Sequence, residues 1–95
     1  MVSLVVPREE LERLVGKRRV RHIFGDAELI PTVDALRLLL TCGYRHMTAR
    51  LLSRILRVSS VTLRMWRVKG RVRASKVDRY WYYDVASIIE YLSSM

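Results

Sequence analysis

Two short amphipathic segments, separated by three residues, dominate the middle of the chain. Thr48 is a good N-cap for a helix over about residues 49–56, and Ser59 is a good N-cap for a helix over about residues 60–69. The apolar residues expected to face inward on these helices are Leu52, Ile55, Leu56, Leu63 and Trp66. Because only residues 57–59 separate the two segments, we predict a helix, a tight turn and a second helix.

Further elements are predicted on both sides of this pair. Thr32 is an N-cap for an apolar helix over residues 32–42. Residues 71–83 alternate between basic and apolar side chains and then become aromatic, which is typical of a β-hairpin. Asp84 can cap a last helix with an apolar face. We therefore expect residues 32–95 to form one mainly α-helical domain, with a three-helix core, a small β-hairpin and a C-terminal helix.

An N-terminal arm over residues 1–31 precedes this domain. We predict a helix that begins at Pro7 and ends at Gly16. A hairpin of two strands, over residues 20–24 and 27–30, should follow.

The arm contains more apolar side chains than such short elements can bury alone. These are Leu4, Val5, Val6, Leu11, Leu14, Val15, Val20, Ile23 and Phe24. They either extend the core of the monomer or form a face for self-association. The prediction of a homodimer through residues 1–30 rests on the second alternative.

Positive charge is concentrated in the middle of the chain. The sequence has 18 Lys and Arg against 9 Asp and Glu, a net charge of +9. Residues 43–82 hold eleven of these cations and one acid, Asp78, whereas residues 1–42 have a net charge of +1 and residues 83–95 of −2. A solvated surface normally mixes both signs, so this block predicts a polyanionic partner. The chain also lacks Asn and Gln and has fifteen Arg against three Lys, which favours a thermophilic source.

Part of the basic block resembles the winged helix-turn-helix of the excisionase and MerR-like DNA-binding families: TARLLSRILRVSSVTLRMW, residues 48–66. The shared pattern is a Thr cap, a small residue five positions later, Val-Ser at the turn, then a Thr and an aromatic residue. The likeness continues through residues 69–72, the aromatic strand at residues 80–83 and the helix that begins after Asp84. It covers residues 48–92, and a general winged-helix assignment fits equally well.

The resemblance implies binding to double-stranded DNA. The helix over residues 60–69 would enter the major groove, and the hairpin over residues 71–83 would be a wing on the flanking backbone or minor groove. The sequence departs from the family where Arg57 replaces the usual Gly of the turn and where Ser53 replaces the usual Ala. Arg57 is then expected in a left-handed conformation, at some cost. Nothing resembles the long dimerising helix of full MerR regulators, so we do not expect an effector sensor of that type.

Ten residues are candidate DNA contacts. Hydroxyl and amide groups near the two helix N-termini suit phosphate, arginines on the exposed side of the second helix suit guanine or phosphate, and the basic hairpin suits the DNA backbone. The candidates are Thr48, Ser59, Ser60, Thr62, Arg64, Arg67, Arg71, Arg73, Lys76 and Arg79. Trp81 and Tyr83 should face the core of the domain, whereas Tyr80 and Tyr82 should point outward, where they could stack on exposed bases.

The leading hypothesis is therefore a small DNA-binding protein, either a transcriptional regulator or an excisionase-like architectural factor. The alternative is a winged-helix interaction module that docks onto another protein of the replication or transcription machinery. The sequence leaves both open.

Catalysis, cofactor binding and metal binding have no support in the sequence. His22 and His46 are 24 residues apart, and Cys42, the single cysteine, is expected to be buried. There is no Gly-rich phosphate loop. No apolar run approaches the length of a membrane span. We expect a non-enzymatic, cytoplasmic and nucleoid-associated protein with no membrane contact.

Overall fold

Short helices make up most of the computed structural model, which describes residues 4–94. The six helices within this range are α1 (Arg8–Val15), α2 (Lys17–Phe24), α3 (Thr32–Thr41), α4 (Ala49–Leu56), α5 (Ser60–Val68) and α6 (Val85–Ser93). The five strands within it are β1 (Val5–Pro7), β2 (Leu29–Pro31), β3 (His46–Thr48), β4 (Ala74–Val77) and β5 (Tyr80–Asp84). The prediction of a mainly helical fold with a small β-hairpin is confirmed.

The helix pair α4 and α5 begins at the predicted capping residues. The Thr48 hydroxyl accepts a hydrogen bond from the Leu51 amide at 3.3 Å, and the Ser59 hydroxyl accepts one from the Thr62 amide at 3.1 Å. Each bond satisfies an amide that the first turn of a helix leaves without a partner. Arg57, between the two helices, has φ 57° and ψ 41°, which is the expected left-handed conformation.

A three-stranded antiparallel sheet, in the order β3-β5-β4, combines β3, which precedes α4, with β4 and β5, which follow α5. Tyr83 of the central strand lies opposite Met47 of β3 and Ala74 of β4. Tyr83 and Met47 are buried, so this face of the sheet covers the core. A two-residue turn joins β4 to β5, and its first residue, Asp78, has φ 56°. Asp tolerates this left-handed conformation better than most residues do.

The predicted strand over residues 20–24 is wrong, because these residues form the second half of helix α2. A strand would place Val20, His22 and Phe24 on one face and turn the imidazole toward the core. The helix instead places Val20 and Phe24, four positions apart, on the same side. Val20 is buried, Phe24 is half-buried and His22 is exposed. Strand β2 consequently pairs with β1 rather than with residues 20–24.

Smaller predictions also need correction. Pro31, not Thr32, is the N-cap of α3. Strand β4 begins at Ala74, so residues 71–73 belong to the segment between α5 and the hairpin. Strand β3 has no counterpart among the elements expected from the sequence. Cys42 is half-buried rather than buried, with the Arg19 guanidinium 3.2 Å from its sulfur.

One hydrophobic core contains residues from the N-terminal arm and from the rest of the chain. Val6 lies opposite Ile30 across β1 and β2, and both side chains are fully buried. Leu11 and Val20 of the arm join the same core. Helices α3 and α6 pack against each other and supply much of its centre. The arm therefore adds to the core of the monomer, although Leu29 and several other apolar side chains of the arm remain exposed.

A candidate nucleic-acid interface

An open groove of about 330 Å³ lies between the first turn of α4, the exposed side of α5 and the end of the β4–β5 hairpin. Its lining residues are Thr48, Ala49, Arg50, Ser60, Val61, Arg64, Arg67, Arg79, Tyr80, Trp81 and Tyr83. We call it the arginine groove, because four of these residues are arginines and none is acidic. The tight α4–α5 turn and the hairpin turn bring these side chains to one place.

The positive charge of the arginine groove is not neutralised by neighbouring acids. Within residues 4–94, none of Arg50, Arg64, Arg67 and Arg79 forms an ion pair with an acidic side chain. Cations that share one cleft repel each other and raise the local positive potential. An anion bound in the groove would relieve this repulsion, so the groove is suited to phosphate groups.

Arg67 is held against an aromatic ring. Its Cζ atom lies 3.7 Å from the centroid of the Trp81 ring, which is a close cation–π contact. Its Nε atom is buried and has no hydrogen-bond partner among residues 4–94. The ring restricts the side chain of Arg67, so less conformational entropy is lost when the guanidinium binds a ligand.

Lys76 stands next to this stacked pair. It lies directly opposite Trp81 in the β4–β5 register, so the two side chains leave the sheet on the same face. Lys76 is exposed and, like Arg79 in the hairpin turn, lies at the far end of the hairpin. The hairpin therefore carries two cations away from the core.

The hydroxyl groups predicted to meet phosphate also have structural roles. The oxygens of Thr48 and Ser59 accept the capping bonds of α4 and α5, and the Ser59 hydroxyl lies 3.1 Å from the Thr62 hydroxyl. Ser60 is exposed and lines the groove. Substitution of Thr48 or Ser59 would thus weaken a helix start as well as any ligand contact.

Arg71 and Arg73 lie beside α6 and do not line the groove. The Nε atom of Arg73 is 3.0 Å from an Asp84 carboxylate oxygen, and its backbone amide donates to the Ser87 hydroxyl at 2.9 Å. The Cζ atom of Arg71 is 5.9 Å from the centroid of the Tyr91 ring. Arg73 therefore fastens the start of the hairpin to α6, and its charge is partly neutralised.

The structure brings five of the ten candidate residues together in the arginine groove: Thr48, Ser60, Arg64, Arg67 and Arg79. The other five, which are Ser59, Thr62, Arg71, Arg73 and Lys76, do not line it.

Sequence reasoning missed Arg50 and the part that Trp81 plays. The sequence contained a signal for Arg50. A cation in the first turn of a helix is unfavourable because it opposes the helix dipole, and α4 has no acid in that turn to offset it, so a role in binding an anion would explain the residue. Strand alternation predicts only a core-facing side chain at Trp81. Trp81 is half-buried, and one of its ring faces holds Arg67.

The described residues contain neither a group of three His, Cys, Asp or Glu side chains able to hold a metal ion nor a helix long and apolar enough to cross a membrane. Comparisons with protein-family models, with curated proteins and with solved structures gave no match to this chain.

Proposed function

We propose that this chain is a winged helix-turn-helix protein that binds double-stranded DNA. Helix α5 is the recognition helix in the major groove, and the β4–β5 hairpin is the wing on the flanking backbone or minor groove. The observation that carries the proposal is the arginine groove, in which four arginines without an acidic partner in residues 4–94 converge beside α5.

The wider distribution of charge supports the same proposal. Of the eleven cations in residues 43–82, only Arg54 and Arg73 contact an acid within the described part of the chain. Duplex DNA presents a dense array of phosphates, and neutralising them releases counterions. The remaining nine cations are comparable in number with the roughly six to ten phosphate contacts at which affinity for DNA becomes strongly dependent on salt.

The dimensions of α5 agree with a recognition helix. Its nine residues make a rod about 14 Å long and, with side chains, about 10–12 Å in diameter, which fits the major groove width of about 12 Å. Arg64 is exposed at its middle, where a guanidinium can reach O6 and N7 of guanine. Arg50 and Arg79 line the arginine groove beside α5, and under this proposal they neutralise phosphates that border the major groove of the DNA.

Salt dependence of binding tests this proposal directly. We expect the affinity for a 20-base-pair duplex to fall by a factor on the order of 10³ to 10⁵ between 50 and 200 mM salt. Fluorescence anisotropy at several salt concentrations measures it. No binding, or an affinity that does not change with salt, would show that the proposal is wrong.

A matched pair of variants locates the binding surface. Arg64→Ala with Arg79→Ala should lower the slope of log affinity against log salt by about 0.9 for each phosphate that the variant no longer neutralises. Arg13→Ala with Arg37→Ala removes the same charge from two exposed positions on α1 and α3, and should leave the slope nearly unchanged. Equal effects of the two double variants would contradict the assignment of the site to the arginine groove.

Selection of bound fragments from random duplex DNA separates the cellular roles. A defined sequence motif is expected of a transcriptional regulator, and its absence is expected of an architectural factor. A palindromic motif would indicate that two copies bind together.

A protein-interaction module is the second candidate, and one specific observation favours it. Val61, Met65 and Val68 are exposed apolar residues on α5, and apolar side chains are typical of protein interfaces. Under this alternative, substitution of the groove arginines would leave partner binding largely intact, and no duplex would bind at physiological salt.

A further inference from the structure

The exposed side of α5 carries an apolar stripe in addition to its arginine. Val61, Met65 and Val68 are 66%, 43% and 63% exposed, and their spacing of four and three residues puts them on one side of the helix. Arg64, one turn from Val61 and adjacent to Met65 in sequence, is exposed on the same side. The opposite side of α5 already fills the core with Leu63 and Trp66. The stripe is therefore not needed to fold the domain.

A stripe of this composition restricts what α5 can contact. Most groups on the floor of the major groove are hydrogen-bond donors and acceptors, and an apolar side chain pressed against them would remove their water without replacing it. The C5-methyl group of thymine is the apolar exception, and apolar side chains contact it. The side of α5 that bears Val61, Arg64 and Met65 thus offers one guanidinium at the edge of an apolar stripe.

The position of Val61 connects the stripe to the arginine groove. Val61 lines that groove together with Arg64 and Tyr80, so phosphates held by the arginines would bring the base edges close to Val61. The free cations flanking α5 make a polyanion a better match for this surface than an apolar partner protein.

We infer that Val61 and Met65 read the C5-methyl groups of thymine in the major groove. This inference rests on the proposed DNA-binding function and deepens it. We expect the protein to prefer thymine over uracil, the same base without the methyl group, because two side chains that carry no charge and no hydrogen-bond donor contact that methyl group.

Two duplexes that differ only in the methyl groups test the inference. One is 20 base pairs of alternating A·T, and the other has the same sequence with deoxyuracil in place of every thymine. A methyl group then lies at each step of the major groove in the first duplex, so the register of binding does not matter. Both duplexes carry the same phosphate charge, so the salt-dependent part of the affinity is shared.

We expect the wild-type protein to bind the thymine duplex about fourfold more tightly for each methyl group that it buries. Val61→Ala and Met65→Ala should each reduce this ratio, and the double variant should bring it close to one. Ala favours helix at both exposed positions, so circular dichroism should show an unchanged fold. Ile23→Ala removes a similar exposed aliphatic group from α2 and should leave the ratio unchanged.

The outcomes distinguish the inference from the function on which it rests. Equal binding of both duplexes by the wild-type protein overturns methyl recognition and leaves DNA binding intact. A ratio that persists in the double variant also overturns it, because the methyl effect would then arise from DNA shape. Failure to bind these duplexes and also the 20-base-pair duplex of the salt titration overturns DNA binding itself, and the inference with it.

Discussion

Replacement of Arg57 by Gly is expected to stabilise the fold while it removes a cation from the basic segment over residues 43–82. Arg57 has φ 57° in the turn between α4 and α5, and its side chain is exposed. A left-handed conformation costs an L-residue roughly 1–2 kcal/mol, and Gly avoids this cost. Gly also has more conformational freedom than Arg in the unfolded chain, and this offsets about 0.4–1 kcal/mol of the gain in stability. Taken at the middle of both ranges, the free energy of unfolding should thus increase by about 0.8 kcal/mol.

Thermal unfolding followed by circular dichroism measures this change. For a chain of 95 residues, the increase corresponds to a rise in Tm of about 3–6 °C. Arg57→Ala is the matched control, because it removes the same charge and the same long side chain but keeps the Cβ atom that causes the strain. A Gly variant that melts no higher than the Ala variant would refute the strain argument.

The two variants should behave alike in DNA binding. Each lacks the same guanidinium, so each should lower the slope of log affinity against log salt by at most about 0.9. A Gly variant that binds DNA much more weakly than the Ala variant would mean that a rigid turn, and not only charge, is needed to present α5.

Three further changes test the packing, the stacked pair and the assembly of the chain. Ser53→Ala should raise the free energy of unfolding by about 1 kcal/mol, because the buried Ser53 hydroxyl has no hydrogen-bond partner in residues 4–94 and because Ala is the better helix former. An unchanged or lower Tm would contradict this. A double-mutant cycle of Arg67→Ala and Trp81→Leu, read by chemical denaturation, should give a coupling energy of about 1 kcal/mol, and additive effects would show that the 3.7 Å contact contributes nothing to stability. Light scattering should find a dimer of the full chain at micromolar concentration. Leu29→Asp should be a monomer, since Leu29 is an exposed apolar residue on the β1–β2 sheet. A monomeric wild-type protein would rule out self-association through the arm.

The helix pair could be predicted from the sequence because its signals are local. Thr48 and Ser59 each cap a helix through an amide three residues away, and the left-handed Arg57 lies in the short turn between them. The apolar spacing within each helix spans only two turns. Interactions over such short distances in sequence depend little on the rest of the fold, so reading them required no tertiary information.

Helix α2 shows where local signals fail. Residues 20–24 contain two β-branched residues and an aromatic one, which favours a strand when the segment is considered alone. Tertiary packing decides otherwise, because the core accepts Val20 and part of Phe24 while it leaves His22 in water. Both sheets join residues distant in sequence: Val6 pairs with Ile30, and Met47 pairs with Tyr83. Strands of three residues have almost no signal of their own, so β1 and β3 exist only because a partner strand is present.

Some features of the candidate site are also visible in the sequence, and others depend on the tertiary structure. The sequence by itself determined that cations concentrate in residues 43–82 and that Arg64 and Arg67 are carried by one helix, because charge and helical spacing are read directly from residue order. Tertiary structure alone decided which cations remain available: Arg73 pairs with Asp84 at 3.0 Å, whereas Arg50 joins the groove. It also decided that Trp81 supports Arg67. These contacts join side chains 11 to 14 positions apart, and their geometry follows from how α5, the hairpin and α6 pack together, which no local pattern encodes.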